Sequence, residues 1–201
     1  TNMLTLNAQK MSKSTGNTIL PMELITGDNT FFEKPFAPTV VRFFFLQAHY
    51  RSVVDLSNEA LVASEKGYLR LMEALEILTG MDSTESNKGS FDVQAWKEKC
   101  DQALLDDFNS PILIAHLFEA VKVIFALKDG KESLGKEDLA LLTTSLQTYV
   151  FDVLGLEEVA KQHSDKLDST LQVLIDLRNQ ARQAKNWELS DEIRDKLLAE
   201  G

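Results

Sequence analysis

Five consecutive residues near the start of the chain, Lys10-Met11-Ser12-Lys13-Ser14, concentrate charged and hydroxyl groups. Gly16-Asn17 follows, a pair that permits an unusual backbone turn. Lysines on such a loop can bring positive charge to a polyphosphate and later withdraw it. The stretch is not a P-loop, because GxxxxGK[ST] is absent. From these residues alone, a mobile phosphate-binding loop and a solvated polar loop between a strand and a helix both remain open.

A second group of polar side chains lies near the other end of the chain. Arg178, Arg182 and Lys185 recur every three or four residues beside an apolar helical stripe. Trp187 and Asp191 follow, four residues apart and therefore on one helix face. Arginine and aspartate can bond to a base edge, and an indole can stack on a base. The alternative is that Trp187 only plugs a helical hairpin whose charges form a solvated face.

Two neighbouring carboxylates, Asp106 and Asp107, resemble an acid/base pair but are predicted to be structural. Neighbours on a helix point about 100° apart and do not easily share a proton. With Asn109 and Ser110 they are expected to end one helix and cap the next, with Pro111 at the first helical position.

The remaining cysteine and histidines also favour structural roles. Cys100 is the only cysteine, which excludes an internal disulfide, and it fits an apolar helix stripe as a small core residue. The histidines, His49, His116 and His163, lie far apart without ligand-like spacing. We therefore expect no metal site within these residues.

The elements that must position these groups are predicted to be mainly helical, with a small β or loop segment at the front. The opening stretch, residues 1–7, is expected to end a strand whose partners lie outside the chain, and residues 81–90 are expected to form a linker. An apolar helix starting at Pro38 is expected to be buried almost all round. Helices are predicted from Pro21 to Gly27, over 58–79 with Ser57 as cap, after Asp92, from Ser110-Pro111 to about Lys128, over 137–154, and as a final hairpin over 168–185 and 188–200.

The overall composition restricts the function further. A formal net charge of −10 argues against a protein that coats nucleic acid nonspecifically, but leaves room for a selective RNA binder. Residues 1–58 are about +1, with five basic and four acidic side chains, so the acidity lies downstream. We expect no apolar run to be long enough to span a bilayer. We therefore predict a cytoplasmic protein with no membrane contact.

The string KMSKS followed by Gly16-Asn17 resembles the signature of class I aminoacyl-tRNA synthetases. This resemblance implies that Lys13 binds the phosphates of ATP and stabilises the charge that develops on pyrophosphate as it leaves. Lys10 would have a supporting role. The implied reaction makes an aminoacyl-adenylate, which electrostatic stabilisation of the leaving group accelerates.

Three later stretches are similar to the cysteine enzymes of that family: 47–57 (QAHYRSVVDLS), 103–111 (ALLDDFNSP) and 177–201 (LRNQARQAKNWELSDEIRDKLLAEG). Asn186 stands where aspartate is common. The resemblance implies that Arg182, Trp187 and Asp191 read the anticodon. Residues His49 and Arg51 would either contact the acceptor limb of tRNA or fix a domain junction. The implied domains are 1–56, with the KMSKS loop and stem contact, 57–156, a helical bundle, and 157–201, the anticodon-binding helical hairpin.

The expected function is thus part of a cysteine–tRNA ligase, which activates L-cysteine with ATP and transfers it to tRNA-Cys. Zinc is expected in the full-length enzyme, with ligands outside this chain, and a monomer is expected. The isolated chain is expected to be a C-terminal fragment that does not activate cysteine alone. Two alternatives remain: a related ligase that joins cysteine to an amino sugar, which would not need an anticodon hairpin, and a noncatalytic helical RNA- or protein-binding module.

Overall fold

The computed structural model describes residues 3–81 and 90–158, together with residues 173, 178, 179, 182, 186, 190 and 191. The chain forms two compact units, Thr1–Glu157 and Glu158–Gly201. Most of the predicted linker at 81–90 lies outside the described residues. So do most of the predicted hairpin and the side chain of Trp187.

A three-stranded sheet lies at the front of the first unit. It consists of β1 (Met3–Leu6), β2 (Gln9–Lys10) and β3 (Val53–Leu56), in the order β2-β1-β3. Strand β1 pairs antiparallel with β2 and parallel with β3. The prediction that β1 has its partners outside the chain was wrong, because both flanking strands belong to this chain. Strand β3 was missed because it is four residues long and its partner lies about 50 residues away.

The described residues of the first unit form six α-helices: α1 (Pro21–Thr26), α2 (Pro38–Leu46), α3 (Asn58–Thr79), α4 (Val93–Leu105), α5 (Ser110–Lys128) and α6 (Lys136–Gln147), the last continuing as a π-helical turn over Thr148–Val153. The mainly α prediction is confirmed. Local sequence determines the starts, since Ser57 Oγ accepts from Ala60 N–H at 3.4 Å and Asp92 Oδ1 accepts from Ala95 N–H at 2.9 Å.

Helix α5 departs from two predictions. It begins at Ser110 with Asn109 at the N-cap and no side-chain capping bond, so Ser110 is not the cap. With 19 residues and a mean hydropathy of 1.7, it is also long and apolar enough to cross a membrane, contrary to the expectation that no stretch is. Its inward face, which includes the fully buried Leu113 and Leu117, lies in the bundle core. The core helix of a soluble protein can be as long and as apolar as this.

The core of the bundle lies between α3, α4, α5 and α6. Trp96 is 2% exposed, and its Nε1–H donates to the carbonyl of His116 at 2.8 Å. Cys100 is fully buried, which confirms it as a core residue. Burial raises the pKa of its thiol to about 12, and the carboxylates of Asp101 and Glu119 act in the same direction.

Helix α2 is not buried all round, contrary to the prediction. Val40, Phe43 and Phe44 face the core, but Arg42 is exposed. The Nε–H of Arg42 donates to the carbonyl of Leu154 at 2.8 Å. The last described segment of the first unit, residues 154–157, is therefore bonded to α2.

Two other side chains bind the same segment. Thr39 Oγ1 exchanges hydrogen bonds with the backbone N–H and carbonyl of Glu157, each at 3.2 Å, and the hydroxyl of Tyr68 donates to that carbonyl. Leu154 and Leu156 are both 1% exposed. The segment 154–157 is thus fixed to α2 and α3 before the second unit begins.

Candidate functional site

The KMSKS loop, residues 10–14, is closed on itself by backbone and side-chain bonds. The N–H of Ser12 donates to the carbonyl of Asn17 at 2.9 Å, and the two residues form an isolated antiparallel bridge. Between them, Lys13–Thr15 form one turn of 3₁₀-helix, which ends at Gly16 with φ 69°. A left-handed backbone of this kind favours glycine, which explains why glycine follows the loop.

Asn17 also ties the loop to strand β2. Its Nδ2 donates to the carbonyls of Gln9 at 3.3 Å and of Lys10 at 3.2 Å. The hydroxyls of Ser12 and Ser14 share a hydrogen bond at 2.8 Å. The sequence predicted a turn at Gly16-Asn17, but not that the asparagine side chain would bind the strand that carries the first lysine.

Both lysines of the loop are exposed. Lys10 is the last residue of β2 and Lys13 the first residue of the 3₁₀ turn. Within the described part of the chain, neither ammonium group lies in ion-pair contact with a carboxylate. Two unneutralised positive charges therefore stand on one short loop, where they can attract a polyphosphate.

The turn between β1 and β2, which precedes this loop, is bonded to strand β3. Asn7 and Ala8, the two residues between the strands, have φ values of 52° and 61°. The carboxylate of Asp55, on β3, accepts a hydrogen bond from the Ala8 N–H at 2.7 Å and another from the Thr5 hydroxyl at 2.5 Å. Strand β3 is thus bonded to the turn that leads into the KMSKS loop.

A second polar cluster joins two of the motifs that the sequence singled out separately. The hydroxyl of Tyr50 donates to the carboxylate of Asp107 at 2.8 Å, and Arg51 Nη2 lies 2.9 Å from the same carboxylate. The Arg51 Nε–H donates to the Tyr50 hydroxyl at 3.1 Å. The hydrogen bond to Tyr50, followed by the charge of Asp107, raises the pKa of Arg51 above its ordinary value. His49 stacks on Tyr50, with ring centroids 4.7 Å apart.

The role predicted for Asp107 was therefore incomplete. Asp106 does end α4, and its carboxylate accepts from the Asn109 side chain at 3.3 Å. Asp107 instead adopts a φ of 55° and turns toward Tyr50 and Arg51. The positive φ of two successive residues that are not glycine, Asp107 and Phe108, follows from the tight turn between α4 and α5 and cannot be seen in the sequence.

The predicted anticodon-reading residues lie in the second unit. Arg182 and Asp191 are both helical and exposed. Trp187 lies outside the described residues. The anticodon-reading role of these three residues stays a prediction.

A metal site was not expected within this chain. Over the described residues, no group of three histidine, cysteine, aspartate or glutamate side chains could hold a metal ion.

Two family models match separate parts of the chain. A family model described as "tRNA synthetases class I (C) catalytic domain" matches residues 1–66, and one described as "DALR domain" matches residues 99–158. The first match contains the KMSKS loop and all three strands. The second contains α5, α6 and the turn that carries Asp107.

The whole chain is similar to curated cysteine–tRNA ligases. It is 44% identical over 203 residues to the protein of Parabacteroides distasonis, 41% over 204 residues to that of Bacteroides thetaiotaomicron and 38% over 203 residues to that of Porphyromonas gingivalis. Each alignment covers 100% of this chain and 41% of the relative, so the chain spans about two fifths of the length of the relatives it matches. The chain is therefore similar, over its whole length, to part of the cysteine–tRNA ligases of these three organisms.

Proposed function

We propose that this chain is the part of a cysteine–tRNA ligase that carries the phosphate-binding loop and the tRNA-binding helices. The observation that carries the proposal is the closed loop over residues 10–17, which exposes Lys10 and Lys13 within a chain similar to these ligases over its whole length. The complete enzyme would use ATP to activate L-cysteine and would transfer the cysteinyl group to tRNA-Cys.

Lys13 is the residue that we propose acts in the activation step. The carboxylate of cysteine attacks the α-phosphorus of ATP, a new C–O–P linkage forms, and the bond to the β-phosphate breaks. Negative charge grows on the departing pyrophosphate. An ammonium group placed against these oxygens stabilises the charge more in the transition state than in the ground state. Lys10, at the end of β2, adds a second positive charge.

The loop has a structure that allows it to move during this step. It consists of one 3₁₀ turn between a two-residue strand and α1, and both lysines are exposed. Short exposed segments with few packed side chains open at low free energy. Asn17 and the Ser12–Asn17 bridge keep the lysines on one closed loop while it moves.

The tRNA contacts are a separate part of the proposal. Arg182, Trp187 and Asp191 would read the anticodon by base-edge bonds and stacking. We infer that Arg51 chiefly fixes the junction between residues 49–52 and the bundle, because its guanidinium already binds Asp107 and Tyr50. A contact from Arg51 to the acceptor limb would use the N–H groups that these partners leave unused.

The same proposal assigns roles to the segments of the chain. Residues 1–56 supply the KMSKS loop and stem-contact region, 57–156 the helical bundle, and 157–201 the anticodon-binding hairpin. We propose that the complete enzyme is monomeric and cytoplasmic. Zinc would be held by residues outside this chain, and none of the steps above passes through it.

The proposal is tested in a chimera in which this chain replaces the matching segment of the Parabacteroides distasonis ligase. ATP–pyrophosphate exchange with cysteine measures the activation step. Lys13→Ala should lower the exchange rate by about a hundredfold or more, as expected when one donor to a developing charge is lost. The matched control is Lys122→Ala, an exposed lysine on α5, which should leave the rate unchanged. Equal rates for both variants would refute the role of the loop.

A further inference from the structure

The turn between β1 and β2 has an unfavourable backbone. A two-residue hairpin loop of type I′ needs positive φ at both central residues, and Asn-Gly is a preferred pair for it. Here the pair is Asn7 and Ala8, with φ 52° and 61°. Asparagine tolerates this region better than alanine, for which it is strained because the Cβ approaches the following carbonyl. Something outside the turn must therefore hold Ala8 in place.

Three hydrogen bonds between β3 and the region of the turn do so. The N–H of Ala8 donates to Asp55 Oδ1 at 2.7 Å, and the hydroxyl of Thr5 donates to the same oxygen at 2.5 Å. The N–H of Asn7 donates to the carbonyl of Leu56 at 3.1 Å. Thr5 is 7% exposed and lies opposite Asp55 in the parallel register, so the carboxylate is placed by the sheet itself.

The β1–β2 turn is also connected to the KMSKS loop. In the β1–β2 ladder, Thr5 pairs with Lys10 and Leu6 with Gln9. The carbonyls of Gln9 and Lys10 are the two acceptors of the Asn17 side chain. A continuous set of hydrogen bonds thus leads from Asp55 through the turn and β2 to the base of the KMSKS loop.

We propose that Asp55 is a positioning residue for the KMSKS loop, acting through the strained turn at Asn7-Ala8. This rests on the proposed function of Lys10 and Lys13. When the carboxylate is removed, Ala8 relaxes from its left-handed backbone, the short strand β2 loses its register, and the two ammonium groups no longer occupy one fixed arrangement.

The first test uses this chain alone and needs no activity. Amide hydrogen exchange is measured by NMR for the chain and for Asp55→Ala. The amides of Ala8 and Ser12 should exchange at least about fivefold faster in the variant, because their partners are Asp55 and a residue of the loop that it positions. Amides in the middle of α3 and α5 should not change, which shows that the bundle is intact. Unchanged exchange at Ser12 would overturn the proposal, since Asp55 would then act on the turn alone.

The second test uses the chimera described above and separates positioning from a general loss of structure. Asp55→Ala should lower kcat of ATP–pyrophosphate exchange about fivefold, with KM for cysteine unchanged, since a partly exposed hydrogen bond contributes modestly. Asp55→Asn keeps an acceptor oxygen and should lose less. Adding Ala8→Gly to Asp55→Ala should recover much of the rate, because glycine adopts this backbone without strain.

The two tests keep this proposal distinct from the function on which it rests. If Lys13→Ala does not change exchange activity, the proposed role of the loop fails, while amide exchange still decides whether Asp55 positions it. If Lys13→Ala abolishes activity but Asp55→Ala leaves kcat unchanged, Asp55 has no positioning role. Failure of Ala8→Gly to recover any rate would show that strain in the turn is not the cause.

Discussion

The contact between Arg42 and Gly155 yields a sharp prediction about stability. Arg42 Nε–H donates to the carbonyl of Leu154 at 2.8 Å. A Cβ added at Gly155 would lie 2.7 Å from Nη2 and 3.0 Å from Cζ of the same guanidinium. Gly155 also has φ 60°. Two features therefore favour glycine at position 155: its left-handed backbone and the guanidinium of Arg42 beside it.

The magnitudes of the single substitutions follow from these contacts. Arg42→Met removes a charged donor from a partly buried carbonyl and should lower the free energy of unfolding by about 1.5 kcal/mol. Gly155→Ala forces a left-handed alanine, at about 1 kcal/mol, and displaces the guanidinium, at about 1.5 kcal/mol more. Once the guanidinium is displaced, Arg42→Met has little left to remove. The double variant should therefore lose only about 2.5 kcal/mol, rather than the sum of the two single losses.

Urea unfolding of the chain and its three variants, followed by circular dichroism at 222 nm, measures this cycle. Lys122→Met, an exposed substitution on α5, is the control and should change the free energy by less than about 0.5 kcal/mol. Additive losses in the double variant would refute the packing of the arginine on Gly155. A neutral Arg42→Met would refute the contribution of the bond to Leu154.

Three further predictions concern the loop, the core and the second unit. Asn17→Ala removes both side-chain hydrogen bonds to β2 and should lower the ATP–pyrophosphate exchange activity of the chimera about tenfold. The Tm of the chain should stay within about 2 °C. An unchanged exchange rate would contradict the closure of the loop by Asn17. Cys100 should resist a thiol reagent at pH 8 until the chain is unfolded. Because its pKa of about 12 exceeds that of an unfolded thiol near 9, the free energy of unfolding should fall by up to about 1.4 kcal/mol per pH unit between those values. Cys100→Ala should abolish this part of the pH dependence. Trp187→Ala should remove any preference of the chain for tRNA-Cys over a transcript with an altered anticodon, and a preference that survives would contradict the assignment of Trp187.

The local features of the fold were predictable from the sequence. Proline at the first helical position and a capping Ser57 or Asp92 act within one turn, so the starts of α1 to α4 could be placed correctly. Cys100 fell on an apolar stripe and is in the core. Each of these predictions depends only on neighbours within a few residues.

The nonlocal features were not predictable in this way. Strand β3 is too short to show a clear alternation, and its parallel pairing joins residues 50 positions apart. Asp107 looked like a cap because its partners, Tyr50 and Arg51, lie 57 and 56 residues earlier in the chain. The KMSKS loop itself was recognisable, but the bonds from Asn17 and Asp55 that hold it depend on the folded turn.

The most direct test of the proposed function is cysteinylation of tRNA-Cys by the chimera that carries this chain. We predict that the folded chimera charges tRNA-Cys, that Lys13→Ala removes the activity, and that a transcript with an altered anticodon is charged with a lower kcat/KM. A chimera that folds, binds tRNA-Cys and still transfers no cysteine would contradict the claim that this chain serves a cysteine–tRNA ligase.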